Sequence, residues 1–253
     1  MITGLDKFAA HFSGYRDRYL LIGGAAVWLI MDEAGIDPRA TRDLDMVLCL
    51  EALDSDFGMA FWDFIKSGGY EIQEKSTGKK NFYRFKKPAQ PDFPEMLELF
   101  ARQPDMLTIP AGSHLTPIPI SEEASSLSAI LLDDSYYDFL HRYKRGTKGI
   151  SIVGTEGLIP LKAYAWLDLT RRKASGENID SRDIKKHKND VLRLYQILPP
   201  DIKIDAPEVI CRDLDAFLRQ IEPEWNNNLL HAIGIRGVDV AEVVQTIRTV
   251  YGL

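Results

Sequence analysis

The chain has 253 residues, 45% apolar and 27% charged, with a formal net charge of −6. That length supports one large core or two modest ones, and the composition excludes a disordered or collagen-like chain. No apolar run approaches the ~18 residues that would span a bilayer, and the opening MITGLDKFAA lacks the basic and apolar regions of a secretory signal.

Leu5 to Phe12 reads as a short amphipathic helix and Tyr19 to Ile22 as a buried strand. A helix over Ala25 to Ala34 stops at Gly35 and Pro38. Leu44 to Leu50 is the next strand, and Asp54 or Ser55 caps a helix whose Phe57, Ala60, Phe61, Phe64 and Ile65 share one face before Gly68-Gly69 ends it. Tyr70 to Glu74 and Phe82 to Phe85 form a hairpin about the polar turn STGKKN, and Met96 to Phe100 a further strand. Prolines at 104, 110, 117 and 119 predict a loop or an edge segment between Arg102 and Ser126.

Leu127 to Leu132 and Ile150 to Val153 read as short strands around a helix over Tyr136 to Tyr143. From Thr155 the pattern turns helical, with segments through LIPLKAYAWLDLTRRK, through DIKKHKNDVLRLYQIL, over Pro207 to Ile221 and over Val238 to Tyr251. The expected class is α+β: a mixed sheet with packed helices in residues 1–154, then a helical domain in 155–253.

Two cysteines, Cys49 and Cys211, lie far apart without metal-type spacing, so reduced thiols in a cytoplasmic protein are the expectation. The charge is uneven. Residues 141–193 hold thirteen Lys and Arg against six Asp and Glu. Such a segment is either a face that docks phosphates or a solvated face laced with ion pairs.

The chemistry concentrates where the first strand ends. Gly23-Gly24 separates it from a helix, and nineteen residues after Gly24 comes Asp43-Leu44-Asp45. Residues two apart on a strand share a face, so Asp43 and Asp45 present two carboxylates side by side, a hard divalent-cation arrangement. Paired glycines at a helix start let backbone amides approach a phosphate, although the same pair also suits a plain strand-to-helix turn. Lys162 stands in an otherwise apolar helical stretch, where a lysine snorkels or meets an anion. Asp183 opens the next helix, where capping, a surface pair with Lys186 and a site role are all open. No Ser/His/Asp order, zinc spacing, GxxxxGK[ST] loop or kinase signature is present.

Gly23-Gly24, Arg39-x-Thr41-x-Asp43-Leu44-Asp45, Leu161-Lys162-x-x-Ala165, Ser181-Arg182-Asp183 and Lys186-His187-x-x-Asp190 together resemble the nucleotidyltransferases of the DNA polymerase beta superfamily. Within it they look most like the AbiEii-type toxins of type IV toxin–antitoxin systems. The resemblance runs from about Tyr19 to Tyr195. It implies a polymerase-beta-like domain and transfer of NMP from an NTP to an acceptor, with Mg²⁺ or Mn²⁺ on Asp43 and Asp45 and with Glu98 as a third ligand. It further implies that Arg39 and Thr41 order the metal site or touch the nucleotide, as an alternative to a simple loop. Lys162 would grip the triphosphate, and Asp183 would act in catalysis or pair with a lysine. Family members often carry Ser where this chain has Gly24, so phosphate contact would rest on backbone amides. The implied partners are an NTP, an RNA acceptor such as a tRNA end, and a cognate antitoxin. A small-molecule or protein acceptor, or a non-catalytic binding role, are the alternatives.

Overall fold

The computed structural model describes residues 2–72, 83–104, 115–118 and 128–253. They fall into two compact units: 2–29 with 38–153 (masked stretches aside), and 30–37 with 154–253. The architecture is α+β, a mixed sheet with helices followed by C-terminal helices. No described helix is long and apolar enough to cross a membrane.

The first unit begins with α1 (Leu5–His11), β1 (Tyr19–Ile22) and the start of α2 (Gly23–Glu33). It continues with β2 (Asp43–Leu48), α3 (Ser55–Gly68), β3 (Glu71–Ile72), β4 (Arg84–Lys86) and β5 (Met96–Ala101). Then come β6 (Leu115–Pro117), β7 (Ser128–Leu131), α4 (Asp134–Arg142), β8 (Lys144–Thr147) and β9 (Ile150–Val153). The strands run in the order β3-β4-β5-β2-β1-β9-β8, with β7 alongside β5 and β6 alongside β7. β1 is antiparallel to β2 and parallel to β9, while β2 is parallel to β5.

Local chemistry accounts for the main elements. Asp54 caps α3 by accepting a bond from the Phe57 amide at 2.9 Å, and Gly69 ends the helix at φ 63°. The helix turns Phe57, Phe61, Phe64 and Ile65 inward, a spacing of one apolar face. These rings meet Phe8, Phe12, Tyr19 and Phe85 in a buried aromatic cluster, with Phe8 and Tyr19 edge-to-face at 5.3 Å. β3 and β4 pair antiparallel as the hairpin reading requires; its turn, Ser76 to Asn81, lies outside the described residues. In the proline-rich stretch, β6 carries Pro117 and, among the described residues, pairs with β7 alone, the edge position where a missing N–H is tolerated.

The second unit holds α5 (Thr155–Ala174), α6 (Ser181–Tyr195), α7 (Glu208–Ile221), α8 (Asn227–Ile233) and α9 (Val240–Tyr251). Pro160 lies inside α5. A proline there removes the amide that would bond the carbonyl four residues back, which belongs to Glu156. The Tyr251 hydroxyl donates to that carbonyl at 2.8 Å instead. The end of α9 thus supplies the hydrogen bond that the sequence of α5 removes.

Candidate functional site

β2 lies inside the sheet, flanked by β1 and β5. Asp43 and Asp45 are half-buried on one face, while Leu44 and Met46 are fully buried on the other. In the register, Asp45 stands between Ile22 of β1 and Glu98 of β5, and Arg84 of β4 opposes Glu98. Directly opposed residues share a face. Asp45, Glu98 and Arg84 therefore form one row, and Asp43, Met96 and Lys86 the next.

Directly after Ile22 the chain turns at Gly23, with φ +67°, and α2 begins. The helix therefore starts two residues earlier than periodicity suggests, because the glycine pair forms its first turn. A Cβ at Gly23 would fall on the Asp45 carboxylate. At Gly24 a Cβ would lie 2.6 Å from Thr41 Oγ1 and 3.1 Å from Arg39 Nη2. Only glycine lets the backbone come this close to the loop that leads into β2. Gly23, Gly24, Arg39, Thr41 and Asp45 are thus gathered at the start of α2, with Asp43 one pleat away on the same face.

This locus combines two chemistries. Amides at a helix start, with the Arg39 guanidinium nearby, favour an anionic oxygen. Two carboxylates favour a hard cation, and Mg²⁺ in particular uses one or two carboxylates and leaves its remaining positions to water and substrate phosphates. Among the described residues no group of three or more His, Cys, Asp or Glu is placed to hold a metal ion. The donor set here is a carboxylate pair, which fits Mg²⁺ or Mn²⁺ carried with a phosphate ligand.

Glu98, expected as a third ligand, stands next to Asp45 in the row and is 8% exposed. Its carboxylate is engaged by the Arg84 guanidinium through Nε and Nη2. Burial pushes the Glu98 carboxyl up, Arg84 and Lys86 pull it down, and Asp43 raises it further. Arg84 is the residue that sequence reasoning missed. Its signal was faint: a cation in a three-residue strand whose register with β5 no local pattern reveals.

Lys162 and Asp183 belong to the second unit. Lys162 is buried, with its Nζ 3.1 Å from Asp190 Oδ2, and Arg193 Nη1 lies 3.3 Å from the other oxygen of that carboxylate. The carboxylate that pairs with Lys162 is therefore Asp190. Asp183 sits in the first turn of α6 and makes the exposed i,i+3 pair with Lys186 at 3.0 Å, one of the readings its position left open. Asp190, two turns on, falls on the face of α6 that packs against α5.

The basic segment is laced with ion pairs. Arg171 and Arg172 bind Asp168, Arg172 also binds Glu177, and Arg182 binds Asp180. Arg182 holds the Asp180 carboxyl down at about 2, through a side-chain hydrogen bond first and the helix-start amide second. In the first unit, Cys49 lies 3.7 Å from Lys144 Nζ and 3.8 Å from His141 Nδ1. Burial pushes the Cys49 thiol up to about 11, which keeps it protonated and unreactive.

Comparison with known proteins returns a structural likeness. No protein-family model matches the chain, and no curated protein sequence matches it. Among solved structures, the crystal structure of an antigenic nucleotidyltransferase-like protein from Paracoccidioides brasiliensis is similar to this chain. The similarity is at 13% identity, covers 92% of this chain and 93% of that one, and has a TM-score of 0.47.

Proposed function

We propose that this protein is a metal-dependent nucleotidyltransferase that moves NMP from an NTP to a hydroxyl of an RNA acceptor, a tRNA end in the AbiEii-like reading. The observation that carries it is the fit of the Gly23-Gly24 backbone against Asp45, Thr41 and Arg39, which gathers the residues of the sequence motif at one helix start. Asp43 and Asp45 would hold Mg²⁺ or Mn²⁺. That cation, when bound, supplies charge neutralisation along the triphosphate. The α2 amides and Arg39 orient the phosphates. The acceptor oxygen attacks the α-phosphorus, the bond to the bridging oxygen of the β-phosphate breaks, pyrophosphate departs, and the hydroxyl proton passes to solvent. A toxin-like role would bring a cognate antitoxin as partner, in the cytoplasm.

The test incubates the protein and an Asp43→Ala/Asp45→Ala variant with Mg²⁺, total tRNA and each NTP labelled at the α-phosphate. Label on RNA that requires both aspartates is the expected result and names acceptor and base together. A folded protein that binds NTP but labels no RNA would overturn the RNA reading in favour of a small-molecule or protein acceptor.

A further inference from the structure

The row from Asp45 through Glu98 to Arg84 crosses three neighbouring strands, and its middle member is buried. Adjacent strands lie about 4.8 Å apart, so Glu98 is near enough to Asp45 for the two to share a cation. The Glu98 carboxylate is instead taken by Arg84, which engages it through both Nε and Nη2. A second observation agrees. Asp43, Asp45 and Glu98 stand on one face of the sheet, yet among the described residues no three acids gather to hold a metal ion.

Exposure says which partner is fixed. The Glu98 side chain is 10% exposed and that of Arg84 33%. A carboxylate so buried needs a cation beside it, and Arg84 could not swing away to a phosphate without stranding that charge. The pair is neutral, which leaves Asp43 and Asp45 with two negative charges between them. One divalent ion balances two charges, and two carboxylates plus substrate phosphates are an ordinary Mg²⁺ environment. A two-ion clamp would call on further carboxylate oxygen, and the nearest one in the row is already occupied.

We infer that Arg84 is a positioning residue that holds Glu98 off the cation, so that Asp43 and Asp45 bind a single divalent ion. That role presupposes the cation site of the transferase proposed above.

The test titrates the full chain with Mn²⁺ alone and reads the free ion by electron paramagnetic resonance. Wild type should bind one Mn²⁺ whose affinity falls about tenfold or more in Asp45→Asn. Arg84→Gln/Glu98→Gln removes one charge of each sign and should bind that ion within about twofold of wild type. Arg84→Gln alone frees Glu98 as a third carboxylate and should tighten binding about tenfold, the scale on which neighbours of metal ligands act. Arg84→Lys, which keeps the cation, should match wild type. Affinity lost in the double variant would make Glu98 a ligand and overturn the inference. So would Arg84→Gln at wild-type affinity, or a second Asp45-dependent ion in the wild type. If the lone carboxylate unfolds Arg84→Gln, the double variant, which strands no charge, decides. Mn²⁺ binding that ignores Asp45 sinks the transferase site and this role with it. Loss in the double variant with Asp45 dependence intact sinks this role alone. The expected Mn²⁺ pattern without label transfer from any NTP sinks the transferase reading alone.

Discussion

Lys162 Nζ and Asp190 Oδ2 lie 3.1 Å apart in a pair whose side chains are 3% and 0% exposed, joining α5 to α6 inside the helical unit. Removing one partner of such a pair strands a charge in a low-dielectric interior. Asp190→Ala should lose about 3–5 kcal/mol of stability, and Lys162→Met less, because Arg193 still faces the remaining carboxylate. Lys162→Met/Asp190→Leu, which removes both charges, should recover most of it, because well-packed apolar replacements of buried pairs are often neutral. Urea unfolding of the three variants measures this. A double variant no more stable than the singles would show that the pair is not the unit of stability.

Gly24 and Thr41 should behave as one site. Gly24→Ala puts its methyl 2.6 Å from Thr41 Oγ1 and should cost about 1–3 kcal/mol, the usual range for overpacking. Arg39 Nη2, at 3.1 Å, is the end of a flexible chain and can swing aside. In a Thr41→Ala background the penalty should shrink, giving a coupling of about 0.5–3 kcal/mol in a double-mutant cycle. Gly23→Ala should resist any such rescue, since φ +67° disfavours a Cβ whatever surrounds it.

His141 gives the protein an acid sensitivity. Burial, then the Lys144 charge, push its pKa below the ordinary histidine value; Glu51 and Asp138 oppose them. The unfolded chain therefore binds this proton more readily. Stability from His141 is complete above about pH 6.5, the unfolded value, and is lost as pH falls below it toward the folded value. The slope cannot exceed ~1.4 kcal/mol per pH unit for one proton. Urea midpoints at descending pH should fall less steeply for His141→Gln than for wild type. Parallel curves would assign the acid loss to other groups.

The bond from Tyr251 to Glu156 makes a prediction in two steps. Tyr251→Phe leaves the Glu156 carbonyl without that donor and should cost about 1–3 kcal/mol. Pro160→Ala returns an amide to the helix at the right position. In that background Tyr251→Phe should cost clearly less. Chemical denaturation of the four proteins decides it.

The elements most visible in the sequence are those whose pattern and punctuation agree. α3 announces itself through Asp54, four inward apolar positions and Gly69. β1 and β2 are apolar runs bounded by glycine, proline and aspartate. Strand β8, reading Lys-Arg-Gly-Thr, carries no apolar alternation; it is a strand because it pairs antiparallel with buried β9 and forms the sheet's edge. Helix α8 is only seven residues long, too short for a period to show. At the site, the residue types and the closeness of Asp43 to Asp45 could be read directly. The row from Asp45 through Glu98 to Arg84 could not, because it depends on which strands become neighbours. The partner of Lys162 was equally hidden: nothing local says which acid of α6 packs against α5, and the structure selects Asp190.

The bond between Tyr251 and Glu156 also sets an order of events on the ribosome. Its two ends are 95 residues apart. Elongation at ~5–20 residues per second makes the carbonyl about 5–19 seconds older than the hydroxyl that satisfies it. Throughout that interval the nascent α5 carries an open acceptor in its first turn. Water serves it until α9 is made, so that hydrogen bond cannot form before synthesis has passed Tyr251.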